Sequence, residues 1–409
     1  MEPKGVDPAW PHTGRYLARI KASPEKSVTS VLGTLGIDTI EQAPWSPELN
    51  LKELAPNRAI RISPFGHMLI NADKDRILES GIFDLVQEER FLSLPDPRDE
   101  PFLNDADCLE AFDESLETWG LQVTHSGSRN SSGLTGAGCR VCVVDSGLDL
   151  NHLDFQPGPD AQNSWIGPTA QDNYGHGTHC AGIVCGNRRS GQPRYSVAPG
   201  ASLAVAKVIE AREMAEESLL VAAIFWAMEN ECQVMSVSLQ RPVAIGEQPS
   251  PCLEEVARLA LKRGLLIVGI AGNHTMRLSD GHKLVRPVCY PANCDSIMAV
   301  GALGTCLNVA HMSNATVNAG QKVDICAPGV AVQSAFTTSA GSYKACDGTS
   351  TAAPFVAGIA ALHYEKTRKT GQALWDEVIG CRDSLPTQSR DDVGAGLALA
   401  PSGCIAFGE

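Results

Sequence analysis

From residue 140 onward, short apolar runs are separated by longer segments with a helical pattern of hydrophobic positions. The short runs read RVCVVDSG, SLAVAKVI, QVMSVSLQ, LLIVGIAG and SIMAVGAL. The segments between them include SLLVAAIFWAMENE and CLEEVARLALKRG. Near-continuous apolar strands that alternate with helices are typical of a parallel sheet covered by helices on both faces. The pattern therefore predicts an α/β fold with a mostly parallel central sheet.

The first 95 residues carry a different mixture of elements. GRYLARIKA, AIRISPF and HMLINA have the length and composition of short strands. SPEKSVTSVLGTLGI and KDRILESGIFDLV have an amphipathic helical pattern, and Ser23 is a suitable cap for the first of them. These elements predict a small α+β unit ahead of the larger α/β region.

Charge separates the two regions. Residues 96–118 hold nine acidic residues and one basic residue, Arg98, together with Pro97 and Pro101. Such a stretch is difficult to bury, so it predicts a linker or a solvated helix. The chain of 409 residues is then divided into a domain of residues 1–95, a linker of residues 96–118 and a domain of residues 119–409.

The overall charge limits the partners. A net charge of −14 disfavours nucleic acid and anionic membrane surfaces. No apolar run approaches the ~20 residues of a membrane span. The N-terminus lacks the apolar segment of a secretory signal, which predicts a cytoplasmic protein. Export by another route, or prior removal of a signal, stays open.

Fourteen cysteines are many for a cytoplasmic chain, and an even number invites a disulfide framework. Their positions argue for free thiols, because several lie in small, apolar stretches where cysteine serves as a small hydrophobe: Cys142, Cys180, Cys185 and Cys326. Cys139 and Cys142 form a CxxC pair, but on a strand they face opposite sides of the sheet. A redox or zinc role for this pair is therefore not favoured.

Four polar residues interrupt the apolar core at predicted element ends. Asp145 and Asn273 end strands, His176 lies in DNYGHGTHCAGIV, and Ser350 precedes a helix of small residues. Each has an ordinary structural role open to it, because such residues often cap turns and helices. Together they supply a nucleophile, a base, an orienting carboxylate and an amide donor.

The stretches that carry these residues resemble a known family. VVDSGLDLNHLDF, GHGTHCAGI, AGN and GTSTAAPFVAG are similar to the Asp, His, Asn and Ser signatures of the subtilisin-like serine proteases, in the same chain order. The resemblance extends over about residues 119–402. It implies the subtilisin-like three-layer fold and a serine endopeptidase that needs no cofactor.

The resemblance also implies roles. Ser350 attacks the scissile carbonyl, and His176, rather than His179, takes its proton and returns it to the leaving amine. Asp145 holds the imidazole in the right tautomer. The amide of Asn273, with the backbone N–H of Ser350 at the helix start, stabilises the oxyanion.

The N-terminal unit resembles the propeptide of these enzymes in size, order and pattern. That resemblance implies a ferredoxin-like domain that assists folding and then inhibits the active site, with LVQEERFLSLPD as its last strand. The protein is then a zymogen that processes itself, and its own propeptide is an intramolecular partner.

Three stretches depart from the family pattern. The loop CGNRRSGQPRYSVAPG lacks the asparagine-rich pattern of the calcium site of many relatives, so no metal site is assigned, although calcium stays open. Ser238, Leu239 and Gln240 are expected to line the substrate pocket, with Gln240 in place of a glycine. A glutamate-rich run stands where many relatives have a glycine-rich substrate strand: Glu210, Glu213, Glu216 and Glu217.

If these glutamates face the cleft, basic residues before the scissile bond are favoured. Alternatively, part of the run is the polar face of the following helix. The sequence thus predicts a serine endopeptidase that acts on polypeptides. Two alternatives are a processing protease dedicated to one peptide or partner and an inert peptide-binding protein of the same fold, which the four filled positions disfavour.

Overall fold

The structure is a computed structural model. It describes residues 10–21, 27–40, 51–95, 106–127, 133–187, 193–210, 213–278, 281–317, 321–337 and 343–401. Within these ranges, no helix combines the length and apolar character needed to cross a membrane.

The N-terminal part of the chain builds a sheet with helices on one face. Its elements are β1 (His12–Ile20), α1 (Val28–Thr34), β2 (Asp38–Ile40), β3 (Arg58–Arg61), β4 (His67–Asn71), α2 (Lys74–Glu79) and β5 (Phe83–Ser93). The strand order is β2-β3-β4-β1-β5. β1 is antiparallel to β4 and β5, β3 is antiparallel to β4, and β2 is parallel to β3.

One local prediction for this region needs correction, and another falls outside the described residues. The helix predicted over KDRILESGIFDLV ends at Glu79, because Gly81 turns the chain with a φ of 66° and Phe83 then begins β5 by pairing with Ile20. The predicted cap Ser23 lies outside the described residues, and α1 begins at Val28. The last strand predicted for this unit is confirmed as β5.

The larger part of the chain supplies the remaining elements. The helices are α3 (Trp119–Val123), α4 (His176–Cys185), α5 (Glu217–Glu229), α6 (Pro251–Lys262), α7 (Thr349–Thr367), α8 (Gly371–Gly380) and α9 (Arg390–Val393). The strands up to the middle are β6 (Arg140–Asp145), β7 (Ala161–Ser164), β8 (Ser202–Lys207), β9 (Met214–Glu216), β10 (Val234–Val237) and β11 (Leu266–Ile270). The later strands are β12 (Met276–Arg277), β13 (Lys283–Leu284), β14 (Met298–Leu303), β15 (Ile325–Pro328), β16 (Val332–Ala335), β17 (Tyr343–Cys346), β18 (Arg382–Asp383) and β19 (Leu397–Ala398).

The predicted central sheet is confirmed. It has nine strands in the order β18-β19-β15-β14-β11-β10-β6-β8-β7. Its neighbours are parallel from β19 to β7, and β18 is antiparallel at the edge. The carboxyl ends of parallel strands meet at one edge, which is where α/β sheets place their sites.

Side chains of one strand contribute alternately to two cores. Val141 and Val143 of β6 belong to a cluster with the buried residues of α4, α7 and α8. Cys142 and Val144 belong to a second cluster with those of α5 and α6. The sheet is therefore covered by helices on both faces, and Cys139 and Cys142 lie in different clusters, as predicted.

The N-terminal sheet packs on the larger part through its free face. Ala18 lies in a small cluster with Leu32 of α1 and Ile77 of α2. Its neighbour Leu17 lies in the cluster that holds the buried residues of α5 and α6. At the sheet edge, β9 adds to β5 as an antiparallel strand, so both parts of the chain share one sheet.

The second half of the acidic stretch is attached to the larger part. The disulfide Cys108–Cys306 links it across a sequence separation of 198 residues. The N–H of Thr118 donates to Arg194 O at 2.9 Å, and Glu117 is buried. Most side chains of residues 106–118 are exposed or half-buried, but this half of the stretch is attached to the larger part at Cys108 and Thr118, whereas residues 96–105 lie outside the described ones.

Cysteine use differs in part from the prediction. The expected buried thiols are confirmed for Cys142, Cys180, Cys185 and Cys326. Six more cysteines are free and buried: Cys139, Cys232, Cys252, Cys289, Cys294 and Cys346. The expectation of free thiols is wrong for Cys108 and Cys306, and Cys381 is also disulfide-bonded.

Candidate active site

The strand-end carboxylate and the helix-start imidazole form a buried pair. Asp145 is the last residue of β6, and His176 is the first residue of α4. His176 Nδ1 lies 2.8 Å from Asp145 Oδ1 and 2.9 Å from Oδ2. Since Nδ1 is engaged by the carboxylate, Nε2 is the nitrogen left for chemistry. Nε2 is buried and has no hydrogen-bond partner among the described residues.

The start of α4 is fixed against the turn after β6. The N–H of Gly177 donates to Ser146 Oγ at 2.9 Å, and Ser146 Oγ donates to Asp172 Oδ1 at 3.0 Å. A side chain at Gly177 would collide with the carbonyl oxygen of Gly147, so only glycine allows this approach. The packing sets the distance between β6 and α4, and therefore between Asp145 and His176.

Asp172 organises this helix start and was missed by sequence reasoning. Its carboxylate accepts from the N–H groups of Tyr174, Gly175 and Thr178, each at 2.9 Å, and from Thr178 Oγ1 at 2.7 Å. A carboxylate before a helix start is a capping signal, and Asp172 precedes His176 by four residues. It therefore orients the first turn that carries the imidazole.

The two histidines of α4 have opposite electrostatics. Burial lowers the pKa of His176, but the Asp145 carboxylate and the Cys180 side chain together outweigh burial and raise this pKa well above its ordinary value. Burial and the nearby His176 lower the pKa of His179 to about 3. His179 Nε2 lies 3.1 Å from Val332 O and 3.0 Å from Lys344 O, which makes it a neutral structural donor.

Ser350 is the second residue of α7, at the position the sequence predicts. Gly348 precedes the helix, and a Cβ there would lie 2.9 Å from Ser350 Oγ and 3.0 Å from Asn273 Nδ2. These two polar atoms therefore face the same small space, which stays open because residue 348 is glycine.

The helix that carries Ser350 contains a proline with a local consequence. Pro354 lies four residues after Ser350 and has no N–H to donate to the Ser350 carbonyl. That carbonyl accepts from Ser238 Oγ at 3.3 Å and from Cys180 Sγ at 3.4 Å instead. The side chains of Ser238 and Cys180 thus anchor the first turn of α7 from behind.

Asn273 is held through its side-chain oxygen. Asn273 Oδ1 accepts from Thr349 N at 2.9 Å and from Thr349 Oγ1 at 2.7 Å. The amide nitrogen is consequently turned away from Thr349 and toward the space beside Ser350 Oγ. Thr349 was not singled out from the sequence, although its place beside the helix-start serine was the available signal.

The predicted pocket residues follow β10, and their side chains have different surroundings. Ser238 faces the Ser350 carbonyl, and Leu239 is fully buried in the cluster that also holds Leu92. Gln240 is only 5% exposed, and its Oε1 accepts from the N–H of Asn273 at 3.3 Å. The Gln240 side chain therefore contacts Asn273 while its backbone contacts Ser93, and its expected place along the substrate pocket stays a prediction.

The end of β5 lies along the strand that borders this site. Phe91, Leu92 and Ser93 pair with Glu216, Ala215 and Met214 of β9, respectively. On the other side, Ser93 N donates to Gln240 O at 2.8 Å, and Gln240 N donates to Ser93 O at 2.9 Å. The N-terminal part therefore places an extended segment between β9 and Gln240.

The glutamate-rich run contacts the N-terminal part of the chain. Lys52 Nζ lies 3.4 Å from Glu213, and Arg15 lies 3.9 Å from Glu216. Glu217 is fully buried and accepts from Ser250 Oγ at 2.6 Å and from the N–H of Arg90 at 3.1 Å. Three of the four glutamates thus belong to the contact with the N-terminal part.

No metal is needed to explain these groups. Asp145, His176 and Cys180 each place one donor atom within 4.8 Å of the others. They do not fit a resident metal, because His176 Nδ1 is bonded to Asp145 and burial raises the pKa of Cys180, which keeps the thiol protonated. In the loop after α4, the Arg194 guanidinium donates to Ser196 O and Val197 O, so these oxygens do not fit calcium.

The fold and the site define an α/β protein with an Asp–His–Ser arrangement at the carboxyl edge of a parallel sheet. The chain belongs to the subtilase family, whose model matches residues 136–385. An Asp–His–Ser triad is typical of this family of serine proteases, which act on polypeptides and need no organic cofactor.

Three related proteins match over a similar number of residues. Subtilisin E of Bacillus subtilis (strain 168) is 35% identical over 251 residues, which are 61% of this chain and 61% of subtilisin E. Subtilisin of Bacillus pumilus is 34% identical over 251 residues, which are 61% of this chain and 84% of that protein. M-protease of Shouchella clausii (strain KSM-K16) is 36% identical over 256 residues, which are 61% of this chain and 60% of M-protease. This chain thus spans about three fifths of subtilisin E and of M-protease.

Proposed function

We propose that this chain is a serine endopeptidase that hydrolyses peptide bonds through Ser350. The observation that carries the proposal is that Cys180 Sγ contacts both His176 Nδ1 at 3.9 Å and the Ser350 carbonyl at 3.4 Å, so that the Asp145–His176 pair and Ser350 are neighbours. In this pair His176 Nδ1 is engaged by Asp145, and Nε2 is unpaired among the described residues. Nε2 takes the hydroxyl proton as Ser350 Oγ attacks the scissile carbonyl. Asp145 stabilises the imidazolium that forms, and Nε2 then protonates the leaving amine.

The charge that develops on the carbonyl oxygen needs donors that are in place beforehand. Asn273 Nδ2 and the backbone N–H of Ser350 are the proposed donors, and Thr349 holds Asn273 in the required orientation. The start of α7 also favours negative charge, because its first N–H groups have no partners within the helix. A water molecule then attacks the acyl-enzyme. His176 Nε2 takes the proton of this water and returns a proton to Ser350 Oγ as the acyl group leaves.

The test is the Ser350→Ala variant. It should lose peptide hydrolysis and covalent labelling by a fluorophosphonate while keeping the thermal unfolding temperature of the wild type. Ser115→Ala, which changes an exposed serine, is the matched control and should be labelled as fast as the wild type. Labelling of Ser350→Ala at the wild-type rate would mean that another nucleophile acts and would refute the proposal.

We also propose that residues 1–95 form an inhibitory propeptide domain, joined by residues 96–118 to a peptidase domain of residues 119–409. Apart from the short extra strand β2, the elements follow a βαββαβ order, and this order and the antiparallel pairing of β1, β3, β4 and β5 support the ferredoxin-like interpretation. The position of Ser93 between β9 and Gln240 supports inhibition by a product-like tail.

Two side chains of β5 support a role in folding. Glu89 Oε1 accepts from the N–H of Ser218 at 3.0 Å, at the start of α5. Gln87 Oε1 accepts from the N–H of Cys252 at 2.9 Å, at the start of α6. Two helices of the larger part are thus capped by the N-terminal part, and Glu89 is fixed by Arg15 Nε at 2.7 Å. Such caps stabilise each helix by about 1 kcal/mol.

Self-processing can be tested on the purified chain. The wild type should separate into two fragments on a reducing gel, whereas Ser350→Ala should remain one chain of full length. The separated N-terminal fragment should inhibit the processed enzyme when it is added back. A wild type that stays intact and fully active would make the N-terminal unit a permanent accessory domain and refute the zymogen proposal.

A protease dedicated to one peptide or partner is the second candidate function. It is favoured by β9, which presents the side chains of Met214, Ala215 and Glu216 rather than glycines along the proposed substrate strand. Cleavage profiling on a peptide library distinguishes the two, because a dedicated enzyme cuts few sequences.

The disulfide Cys108–Cys306 is typical of oxidising compartments, so it favours export over the predicted cytoplasmic location.

A further inference from the structure

Gln240 connects the segment that follows β10, where its backbone pairs with Ser93, to Asn273 in the segment that follows β11. It follows β10 by three residues, and its backbone exchanges two hydrogen bonds with Ser93 in the cleft. Asn273 follows β11 by three residues. The side chain of Gln240 reaches across, and its Oε1 accepts from the Asn273 N–H at 3.3 Å.

Asn273 is therefore fixed at both ends. Its backbone N–H is bound by Gln240, and its side-chain oxygen is bound by Thr349. Gly272, directly before it, has a φ of 111°, and a Cβ there would lie 2.5 Å from Cys289 Sγ. The backbone conformation at Gly272 is therefore restricted by its surroundings. The hydrogen bond from Asn273 N–H to Gln240 Oε1 then fixes the orientation of the peptide group between Gly272 and Asn273.

We propose that Gln240 is a positioning residue for the oxyanion donor Asn273. This inference rests on the proposed endopeptidase function. The Gln240 carboxamide does not touch the reacting atoms. It holds the Asn273 backbone, so that Asn273 Nδ2 is directed at the carbonyl oxygen when that oxygen becomes negative. Preorganisation of this kind acts in the transition state more than in the ground state.

The size of the effect follows from the contact. A neutral hydrogen bond contributes about 1 kcal/mol, which corresponds to about a fivefold change in rate. Loss of the Gln240 carboxamide should therefore lower kcat by about fivefold and change KM by less than about twofold. Loss of the Asn273 amide itself should cost about 100-fold to 1,000-fold in kcat, a magnitude taken from subtilisin itself.

The test is a double-mutant cycle with Gln240→Met and Asn273→Ala in the full chain. Methionine keeps the length of the side chain and lacks the carboxamide. The number of competent sites is counted by fluorophosphonate labelling, and kcat and KM are measured on a fluorogenic peptide chosen by cleavage profiling. Gln240→Met should lower kcat about fivefold in the wild-type background and leave it unchanged in the Asn273→Ala background.

A peptide boronic acid and the corresponding product peptide supply the second measurement. The tetrahedral boronate uses the oxyanion donors, so Gln240→Met should weaken its binding in proportion to kcat. Binding of the product peptide should stay the same. A merely structural role would weaken both ligands and lower the thermal unfolding temperature. If Gln240→Met does not fold, Gln240→Ala is measured in its place.

The outcomes separate this inference from the proposed function. Equal kcat for the wild type and Gln240→Met, or an equal loss of kcat with and without the Asn273 amide, would overturn the positioning role while leaving the endopeptidase in place. A wild type that neither hydrolyses any peptide nor reacts with the fluorophosphonate would overturn the proposed function, and this inference with it.

Discussion

The backbones of Ser93 and Gln240 exchange two hydrogen bonds, with N–O distances of 2.8 and 2.9 Å. Ser93 belongs to the N-terminal part of the chain, and Gln240 borders the candidate site. The pair therefore fixes where the end of β5 lies in the cleft. Inhibition by the N-terminal part can be tested by removing one of these two hydrogen bonds.

Replacement of Ser93 by proline should open the cleft. Proline has no N–H, so the bond to Gln240 O is lost while the rest of β5 stays paired. We expect faster fluorophosphonate labelling of the uncut chain, by about fivefold for the one backbone hydrogen bond that is lost. Ser93→Ala keeps both backbone bonds and is the matched control. Equal labelling rates for the two variants would show that the end of β5 does not limit access.

The pH dependence of activity should report the pair of Asp145 and His176. The general base must be neutral, and although burial lowers the pKa of His176, Asp145 and Cys180 together raise it well above its ordinary value. The activity is therefore fully present above the raised pKa and is lost as the pH falls through it. We expect the midpoint of the acidic limb of kcat/KM to lie above about 6.5, the ordinary histidine value.

Asp145→Asn should move this limb to lower pH, because the neutral amide no longer stabilises the imidazolium. It should also lower kcat by about 10⁴-fold, the loss known for the wrong imidazole tautomer in a serine protease triad. A wild-type midpoint at or below the ordinary value would contradict the assignment of His176 as the base.

Cys180 should make the enzyme sensitive to organomercurials. Its Sγ lies 3.4 Å from Ser350 O and 3.9 Å from His176 Nδ1, so a mercury adduct would displace both elements. Burial raises the pKa of Cys180, and the reaction should therefore be slow. Loss of hydrolysis with time should be abolished in Cys180→Ala and retained in Cys139→Ala. Undiminished inhibition of Cys180→Ala would assign the effect to another cysteine.

A basic residue should be favoured three positions before the substrate residue that pairs with Gln240. Arg90 occupies this position in β5, with its guanidinium 5.0 Å from the centre of the Tyr290 ring and 4.0 Å from Glu247. Peptides with arginine there should be cut about threefold faster than peptides with norleucine at low salt, and this advantage should shrink at high salt. Glu247→Gln should reduce the preference, and an unchanged preference would exclude Glu247.

Removal of the Asp172 carboxylate should destabilise the protein and reduce its activity. Asp172→Ala leaves three N–H groups at the start of α4 and the Thr178 hydroxyl without their acceptor. We expect a loss of about 3 kcal/mol in the free energy of unfolding, measured by urea denaturation. Asp172→Asn keeps one acceptor oxygen and should lose less. Equal losses for the two variants would show that packing, not the acceptor, stabilises this turn.

The central sheet and the chemical groups of the site were predictable because each polar residue ends or begins an element in an otherwise apolar core. Asp145, His176, Asn273 and Ser350 stand out for this reason, and a parallel sheet brings strand ends together at one edge. The structure places all four residues at that edge, while their roles stay predictions for the variants described above.

What the sequence could not supply depends on contacts between distant residues. The partner of Cys108 is 198 residues away, and no local pattern indicates it. For the glutamates after Lys207, the sequence left two interpretations open, the cleft and the polar face of a helix. Their contacts with Lys52 and Arg15 depend on how two parts of the chain pack. Likewise, the helical pattern after Lys74 is overridden at Phe83, where pairing with β1 makes a strand.

The disulfide between Cys108 and Cys306 decides what a cut in the acidic stretch would release. A cut before Cys108 frees the N-terminal part as a separate molecule, and simple dilution then lowers its occupancy of the cleft. A cut between Cys108 and Thr118 leaves it covalently attached as a tethered ligand, whose effective concentration is set by the tether and is unaffected by dilution. In the second case, release of the N-terminal part requires a reductant. The position of the cut therefore determines whether dilution or reduction of the disulfide activates the enzyme.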